Sequence, residues 1–373
     1  MLSKRYINDG ISEWELNPIQ LQYRDQLLEK INKGVYKLEK VKKCLCGSNS
    51  FEKLSEKDRY GLPFGTVICK NCGLILTTPR LSKESLPKFY ESEYHFLLFG
   101  TNDPKKFKMY NENQGIIIYD YIKNYIKEFK KLKVAEIGCG VGYNLKLFKE
   151  KTELDSINNV EVYGCDYSKS CIDVATNILG PNVVVGGVES LKNLGIKFDL
   201  IILSHVLEHF VDIPLQLNLI SQMMNNNSLL YIEVPGLFDL QNKIEYKCDF
   251  LRYTVCAHIY HFSLGTLTNV FNMNYFELVK ANEFVQSIFK KTSKKIDNKN
   301  YYNKTVEFLS DLERNRAIYF LLKSEVQKYR REILNKNKII LEKEAVIMSL
   351  QNSISWRLTA PLRTLRRFFQ VRN

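Results

Sequence analysis

Val134-Ala135-Glu136-Ile137-Gly138-Cys139-Gly140-Val141-Gly142, residues 134–142, carries a short apolar run through a carboxylate into three glycines spaced two apart. This is the pattern expected where a strand stops and a helix begins. Glycine there lets the backbone turn tightly and approach a ligand that a side chain would block. Outward from this loop the chain alternates β-branched runs with helical stretches, which predicts βαβ units and a parallel sheet. The predicted strands are Val134–Ile137, Val160–Cys165, Val183–Val185, Leu200–Leu203 and Leu229–Val234, with Phe276–Val279 and Phe284–Ile288 closing the sheet as a hairpin.

Dinucleotide-binding and purely structural turns use similar glycine loops, so the context decides. About 25 residues further on, the second predicted strand ends in Cys165-Asp166, a carboxylate where ribose hydroxyls need an acceptor. The third ends at Gly186-Gly187-Val188-Glu189. The fourth, from Phe198 to Ser204, leads into His205-Val206-Leu207-Glu208-His209. E-x-G-C-G-x-G, the acidic end of strand two, FDLIILSHVLEHF and LLYIEVP together resemble the class I S-adenosylmethionine-dependent methyltransferases, over about residues 110–290. The resemblance implies an α/β fold: a Rossmann-like seven-stranded methyltransferase sheet with helices on both faces.

It also implies an S-adenosylmethionine pocket. Gly138, Cys139, Gly140 and Gly142 would pass the methionine moiety, with Glu136 supporting the loop. Asp166 would accept from the ribose hydroxyls, Tyr167 would flank the adenine, and Val188 and Glu189 would sit near its exocyclic amine. Ser204 completes the cofactor-binding set. A nicotinamide dehydrogenase is set aside, because it favours G-x-G-x-x-G and Tyr143 stands where the third glycine would fall.

Cys44-x-Cys46 and Cys69-x-x-Cys72 form two tight pairs, each followed by a glycine (Gly47, Gly73). Such pairs suit two knuckles holding one tetrahedral Zn²⁺; the alternative is four unligated thiols. The segment DRYGLPFGTVICKNCGLILTTPR resembles the small zinc-binding module ahead of many bacterial methyltransferase domains, in which the first pair is more often C-x-x-C. Cys139, Cys165, Cys171, Cys248 and Cys256 show no pairing and read as small buried hydrophobes, with no disulfide framework.

Four of the five histidines fall in the catalytic half: His205, His209, His258 and His261. His205-x-x-Glu208-His209 matches the H-x-x-E-H of inverted zinc peptidases, but it directly follows the fourth strand, where the floor of a transferase pocket belongs. Methyl transfer to a hydroxyl benefits from a base, and an imidazole with a pKa near ~6.5 suits that role. His209, His205, His258 and His261 are therefore the catalytic candidates, with Glu208 as an orienting acid. The competing reading makes His209 a helix-packing residue and Glu208 a helix-face acid.

The chain divides into an N-terminal helical segment (1–42), a four-cysteine zinc-binding module (43–80), a helical linker or cap rich in aromatics such as Phe89, Tyr90, Tyr94, Phe96, Phe107 and Tyr110 (81–130), and the methyltransferase domain (131–290). A helical, coiled-coil-like region (291–355) and a basic amphipathic tail (356–373) follow. Tyr319, Val326, Ile333, Ile340, Ile347 and Ile354 recur every seven residues, with Leu322, Tyr329, Lys336, Lys343 and Leu350 at the complementary position; the pattern predicts a coiled coil and a homo-oligomer, with the two mid-seam lysines weakening it. The opening MLSKRYINDGISEWEL lacks the apolar stretch of a signal peptide, and no run reaches the ~18 apolar residues of a membrane span. A cytoplasmic protein, peripheral at the inner membrane face, is the expectation.

The net charge of +13 comes largely from scattered lysines and reads first as a solvated surface. Cys44 to Lys290 resembles methyltransferases of bacterial surface-polysaccharide and sugar-modifying pathways. The tail Ser353-Ile-Ser-Trp-Arg-Leu-Thr-Ala-Pro-Leu-Arg resembles a motif of bacterial glycan-assembly enzymes. These imply O-methylation of a sugar, either a nucleotide-sugar or a surface glycan, with carbon as acceptor atom left open. An RNA methyltransferase is the alternative enzyme. No N/D-P-P-Y motif follows strand four and the charge is not concentrated near the cysteines, which argues against nucleic acid. A scaffold in a glycan-assembly complex is the non-enzymatic reading. In the tail, Leu362, Leu365, Phe368 and Phe369 lie along one side, flanked by Arg363, Arg366 and Arg367 and preceded by Trp356. That pattern suits an inner-membrane surface or a glycosyltransferase partner.

Overall fold

The computed structural model describes residues 1–101, 103, 113–155, 159–352, 358–359 and 361–363. Met1–Glu313 form one compact unit and Arg314–Asn373 a second. The first opens with a 3-10 turn, Lys4–Tyr6, followed by the helix Pro18–Asn32. Asn17 caps it by accepting from Gln20 N while the Gln20 side chain returns to Asn17 N.

Five short strands follow: β1 (Leu38–Glu39), β2 (Phe51–Ser55), β3 (Thr66–Cys69), β4 (Ile75–Thr77) and β5 (Arg80–Leu81). β1 pairs with β5, and β2, β3 and β4 form an antiparallel ladder. The helices Leu86–Ser92, Tyr94–Phe99 and Gln114–Ile126 lead into the main sheet.

That sheet contains β6 (Leu132–Ile137), β7 (Val160–Asp166), β8 (Val183–Val185), β9 (Phe198–Ser204) and β10 (Met224–Glu233). After β11 (Tyr260–His261) come β12 (Phe276–Ala281) and β13 (Gln286–Lys291). The order is β12-β13-β10-β9-β6-β7-β8. β8, β7, β6, β9 and β10 run parallel and the last two strands antiparallel, giving the expected largely parallel, seven-stranded α/β sheet. The second hairpin strand begins at Gln286 rather than Phe284, because Asn282–Val285 form the turn: Val285 N donates to Asn282 O at 3.0 Å with a φ of 57°.

Both faces of the main sheet are buried, which is why its strands read as continuous apolar runs. Leu200 and Ile202 join Ile118, Ile122 and Phe148 in one core. Ile201 and Leu203 join a second core that also takes in Leu62, Phe64, Leu74 and Leu76 of the cysteine-bearing segment. β11 leaves the main sheet's sequence region and pairs with β4 as the fourth strand of the small sheet.

The helix Tyr302–Asn352 ends the first unit and continues into the second. In the second unit, Val326, Ile333, Ile340 and Ile347 are each about half exposed along it. Leu362 is exposed and Arg363 N donates to Thr359 O at 3.2 Å. Phe107, Tyr110, Ile354, Trp356, Leu365, Arg366, Arg367, Phe368 and Phe369 lie outside the described residues.

Candidate active site and cysteine cluster

The glycine loop leaves the carboxyl end of β6. Gly138, Gly140 and Gly142 all adopt positive φ (73°, 52° and 81°), a region that a Cβ makes costly. At Gly138 space is also closed: a Cβ would lie 2.4 Å from Val206 Cγ2, so the loop after β9 rests directly on the glycine turn. Gly140 faces open space. Gly138 N and Cys139 N both donate to Cys165 O, which ties the turn to the end of β7. The Cys139 side chain packs inward against Gly164, so this residue offers the pocket only its backbone.

Asp166 ends β7 and accepts from Gly140 N at 3.0 Å and Ser168 N at 2.8 Å, one bond on each oxygen. Burial pushes its carboxyl up while those two N–H donors pull it back, and each oxygen keeps a lone pair for a ligand. Tyr167 is exposed and its hydroxyl stands over Gly187, where a Cβ would come within 2.3 Å. Val188 is buried at the start of the helix Val188–Lys192, and Glu189, next to it, accepts from Gln216 Nε2 at 3.0 Å. Glu136 is almost fully buried. Asn144 donates to its Oε1 at 3.0 Å, the other oxygen has no partner among the described residues, and burial raises its pKa to about 8.

At the end of β9, Ser204 Oγ donates to Glu233 at 3.2 Å, and Gln114 also reaches that carboxylate. His205 follows with a φ of 56°, a left-handed conformation unusual for a residue with a Cβ, held by its N–H donating to Glu233 O. A single 3-10 turn, Leu207–His209, then turns Glu208 inward. Its side chain is 1% exposed and neither oxygen has a hydrogen-bond partner among the described residues. Three imidazole nitrogens surround Oε1: His205 Nδ1 at 3.8 Å, His209 Nε2 at 3.9 Å and His258 Nε2 at 3.9 Å.

The His209 tautomer follows from its other nitrogen. Nδ1 lies 2.9 Å from Ala257 O, which only accepts, and 3.1 Å from the Tyr90 hydroxyl, which can do either; the carbonyl contact places the proton on Nδ1, and the neutral ring presents its Nε2 lone pair toward Glu208. Burial lowers the pKa of His209 and, more strongly, of His258. At His205 burial also lowers it, but the Glu208 and Glu233 carboxylates outweigh that and the net shift is upward. Tyr90 and Tyr94 form the wall here, with ring centroids 6.1 and 6.0 Å from His209.

His261 sits apart from this group. It is a β11 residue bonded to Thr77 Oγ1 at 3.0 Å, with burial lowering its pKa to about 3. Nothing in the sequence marks a role for Gln114, Asn144 or Glu233. Tyr90 and Tyr94 belong to an aromatic stretch in which nothing in their spacing marks them, since tertiary packing alone brings them to His209.

The four paired cysteines converge although the two pairs lie on different turns. Cys44 Sγ is 3.6 Å from Cys72 Sγ, and Cys46 Sγ is 3.6 Å from Cys69 Sγ. A tetrahedral ion with bonds of ~2.3 Å would hold sulfurs about 3.8 Å apart, so the donor set fits. Gly47 and Gly73 close the knuckles, donating to Cys44 O and Cys69 O at 2.8 Å with positive φ. The small sheet also holds the His258 loop. Thr77 Oγ1 donates to His258 O at 2.6 Å, Asp58 accepts from Cys256 N at 2.9 Å, and Ile259 N donates to Glu208 O at 2.8 Å.

A glycine turn after the first sheet strand, an acid ending the second and this strand order define the S-adenosylmethionine-dependent methyltransferase class. Residues 84–281, more than half of the 373-residue chain, match the family described as Methyltransferase domain, and the chain belongs to that family. Over 109 residues it is 32% identical to the ubiquinone biosynthesis O-methyltransferase of Bartonella tribocorum, covering 28% of this chain and 41% of that protein. The chain thus spans less than half the length of that relative. Similar solved structures include a SAM-dependent methyltransferase from Archaeoglobus fulgidus (22% identity, 57% of this chain, 92% of that one, TM-score 0.36). Another is the amino pentose methyltransferase CalS10 of Micromonospora echinaspora (12%, 48%, 91%, TM-score 0.36).

Proposed function

We propose that the chain transfers a methyl group from S-adenosylmethionine to an oxygen of a sugar, on a nucleotide-sugar or a surface glycan. The observation that carries this reading is the contact of the two half-sites: the Gly138 turn and the Glu208–His209 turn touch through Val206. Cofactor and acceptor would therefore meet at the carboxyl ends of β6 and β9. The backbone of Gly138–Gly142 would line the methionine end and Asp166 would take the ribose hydroxyls. Ionisable groups beside Tyr90 and Tyr94 suit an acceptor with several hydroxyls and one apolar ring face. The name of the relative from Bartonella tribocorum supports oxygen, and the resemblance of the sequence to polysaccharide-pathway methyltransferases supports a sugar.

In this reading Cys44, Cys46, Cys69 and Cys72 hold a structural Zn²⁺ that stiffens the small sheet. The protein works in the cytoplasm, self-associates through the heptads of its C-terminal helix, and meets the inner membrane face or a glycosyltransferase through its basic tail. No described helix is long and apolar enough to cross a membrane.

Transfer of labelled methyl from S-adenosylmethionine into nucleotide-sugars, isolated polymer and total RNA tests the acceptor. Label in sugar, lost in His209→Ala with cofactor binding retained, is the expected result, and label in RNA alone overturns it. Asp166→Ala should weaken cofactor binding by ~1.5–3 kcal/mol, the worth of hydrogen bonds to a charged group.

A further inference from the structure

We infer that Glu208, His209 and His258 form a binding site for a divalent first-row metal cation at the floor of the acceptor pocket, separate from the cysteine cluster. Each residue can offer one ligand atom, and these atoms lie within 4.8 Å of one another. Ligand bonds of about 2.0–2.2 Å set tetrahedral donors about 3.3–3.6 Å apart. The observed 3.9 Å from Glu208 Oε1 to each of His209 Nε2 and His258 Nε2 needs a contraction of only a few tenths of an ångström.

Glu208 supplies the second observation. Its carboxylate is 1% exposed and aimed into the cluster, and among the described residues no lysine or arginine pairs with it and neither oxygen accepts a hydrogen bond; only the three imidazoles lie within ion-pair distance. A buried carboxylate in that condition is expensive, and a cation on Oε1 is the compensation that geometry provides. His209 is arranged as metal-binding histidines are. Its Nδ1–H donates to a backbone carbonyl, Ala257 O, which fixes the ring and turns the Nε2 lone pair inward. The His209 and His258 rings stand nearly perpendicular, 4.9 Å between centroids, so two nitrogens meet one oxygen without the rings stacking.

Two imidazoles and one carboxylate leave coordination positions open, the arrangement of reactive rather than structural sites. His205 lies on the open side: its Nδ1 is 3.8 Å from the same oxygen and its side chain is 45% exposed. An acceptor hydroxyl entering past His205 would reach the cation next to the glycine turn. That role rests on the methyltransferase reading; the binding of the cation does not.

Mn²⁺ separates the two candidate metal sites, because four thiolates select zinc while imidazole and carboxylate donors accept manganese. Full-length protein given one equivalent of zinc, which the four thiolates take first, and freed of any excess should bind one Mn²⁺ per chain by electron paramagnetic resonance titration. Glu208→Gln and His258→Ala should each weaken that binding at least about a hundredfold and leave the zinc in place. Calorimetry with S-adenosylmethionine shows that each variant is folded. Wild-type protein that binds the cofactor but no Mn²⁺, or Mn²⁺ bound equally by both variants, overturns the site and leaves the transferase reading intact. Mn²⁺ bound as expected in a protein that methylates no acceptor does the reverse.

Discussion

The cysteine cluster and the Glu208 cluster are built in opposite ways. The cysteines come from two turns of one small sheet, each closed by a glycine at positive φ, and their sulfurs face one another at 3.6 Å. Glu208 and His209 come from the turn after β9, and His258 from a loop beside β11; the backbone bond from Ile259 N to Glu208 O brings them together. The first cluster completes itself. The second leaves a buried carboxylate without a hydrogen-bond partner among the described residues and a half-exposed histidine at its edge. A group that must engage a changing partner cannot be satisfied by the fold, so the cluster that is worse for stability is the better candidate for chemistry.

Substitution should separate the two most sharply at Cys69. Cys69→Ser is expected to release the zinc and cost several kcal/mol, set against the ~10–16 kcal/mol with which structural zinc binds finger peptides. Metal analysis with thermal melting reads both, and a metal-free wild type of unchanged stability would put the cysteines in the same class as Glu208. Glu208→Gln should act the other way. Without added divalent cation it should gain about 1–3 kcal/mol, because a neutral amide can donate to His209 Nε2 where a lone carboxylate cannot. Methyl transfer should fall at least about 100-fold. A variant that loses stability and keeps its rate breaks the contrast.

Thr77→Val tests whether one cluster steadies the other, since Thr77 Oγ1 holds both His258 O and His261 Nε2. A loss of about 1–2 kcal/mol and a roughly tenfold slower transfer are expected, with zinc content unchanged. An unaltered rate would mean that the small sheet does not position His258. The last effect is a slope with pH rather than a loss at one pH, and it concerns Glu136, a buried carboxylate with one donor among the described residues, intermediate between the two clusters. Its folded pKa of about 8 stands above the ~4.3 of an unfolded glutamate. The folded state therefore keeps a proton that the unfolded state has lost. Its stabilising share is full below about pH 4 and gone once pH has risen through about 8. Glu136→Gln should flatten that slope in cofactor-free protein, and denaturation midpoints across the range measure it.

The glycine turn, Asp166 and the cysteine pairs were legible because their chemistry is local: adjacent residues at strand ends or in a knuckle, where spacing along the chain equals spacing in the fold. The parallel strands were legible as apolar runs because both sheet faces are covered. What spacing could not show was assembled by packing. The H-x-x-E-H match drew attention to Glu208 and His209 but offered His205 as the third member; the closest set instead takes His258, from a loop placed by Thr77 and Asp58. His261 looked equivalent to His258 three residues away, yet its position in a strand turns it toward Thr77. Tyr90 and Tyr94 carried no signal beyond their aromaticity.

The pairing of β11 with β4 has a temporal side. Ile75 and His261 are partners across 186 residues of chain, so the outer edge of β4 has no neighbour until nearly all of the main sheet has been synthesised. At ~5–20 residues per second, the nascent cysteine sheet waits on the order of tens of seconds with an open hydrogen-bonding edge. During that interval Cys44, Cys46, Cys69 and Cys72 are already out of the ribosome. Early capture of metal would protect the half-built sheet from pairing with another chain, whereas a fragment ending near residue 80 would carry that open edge permanently.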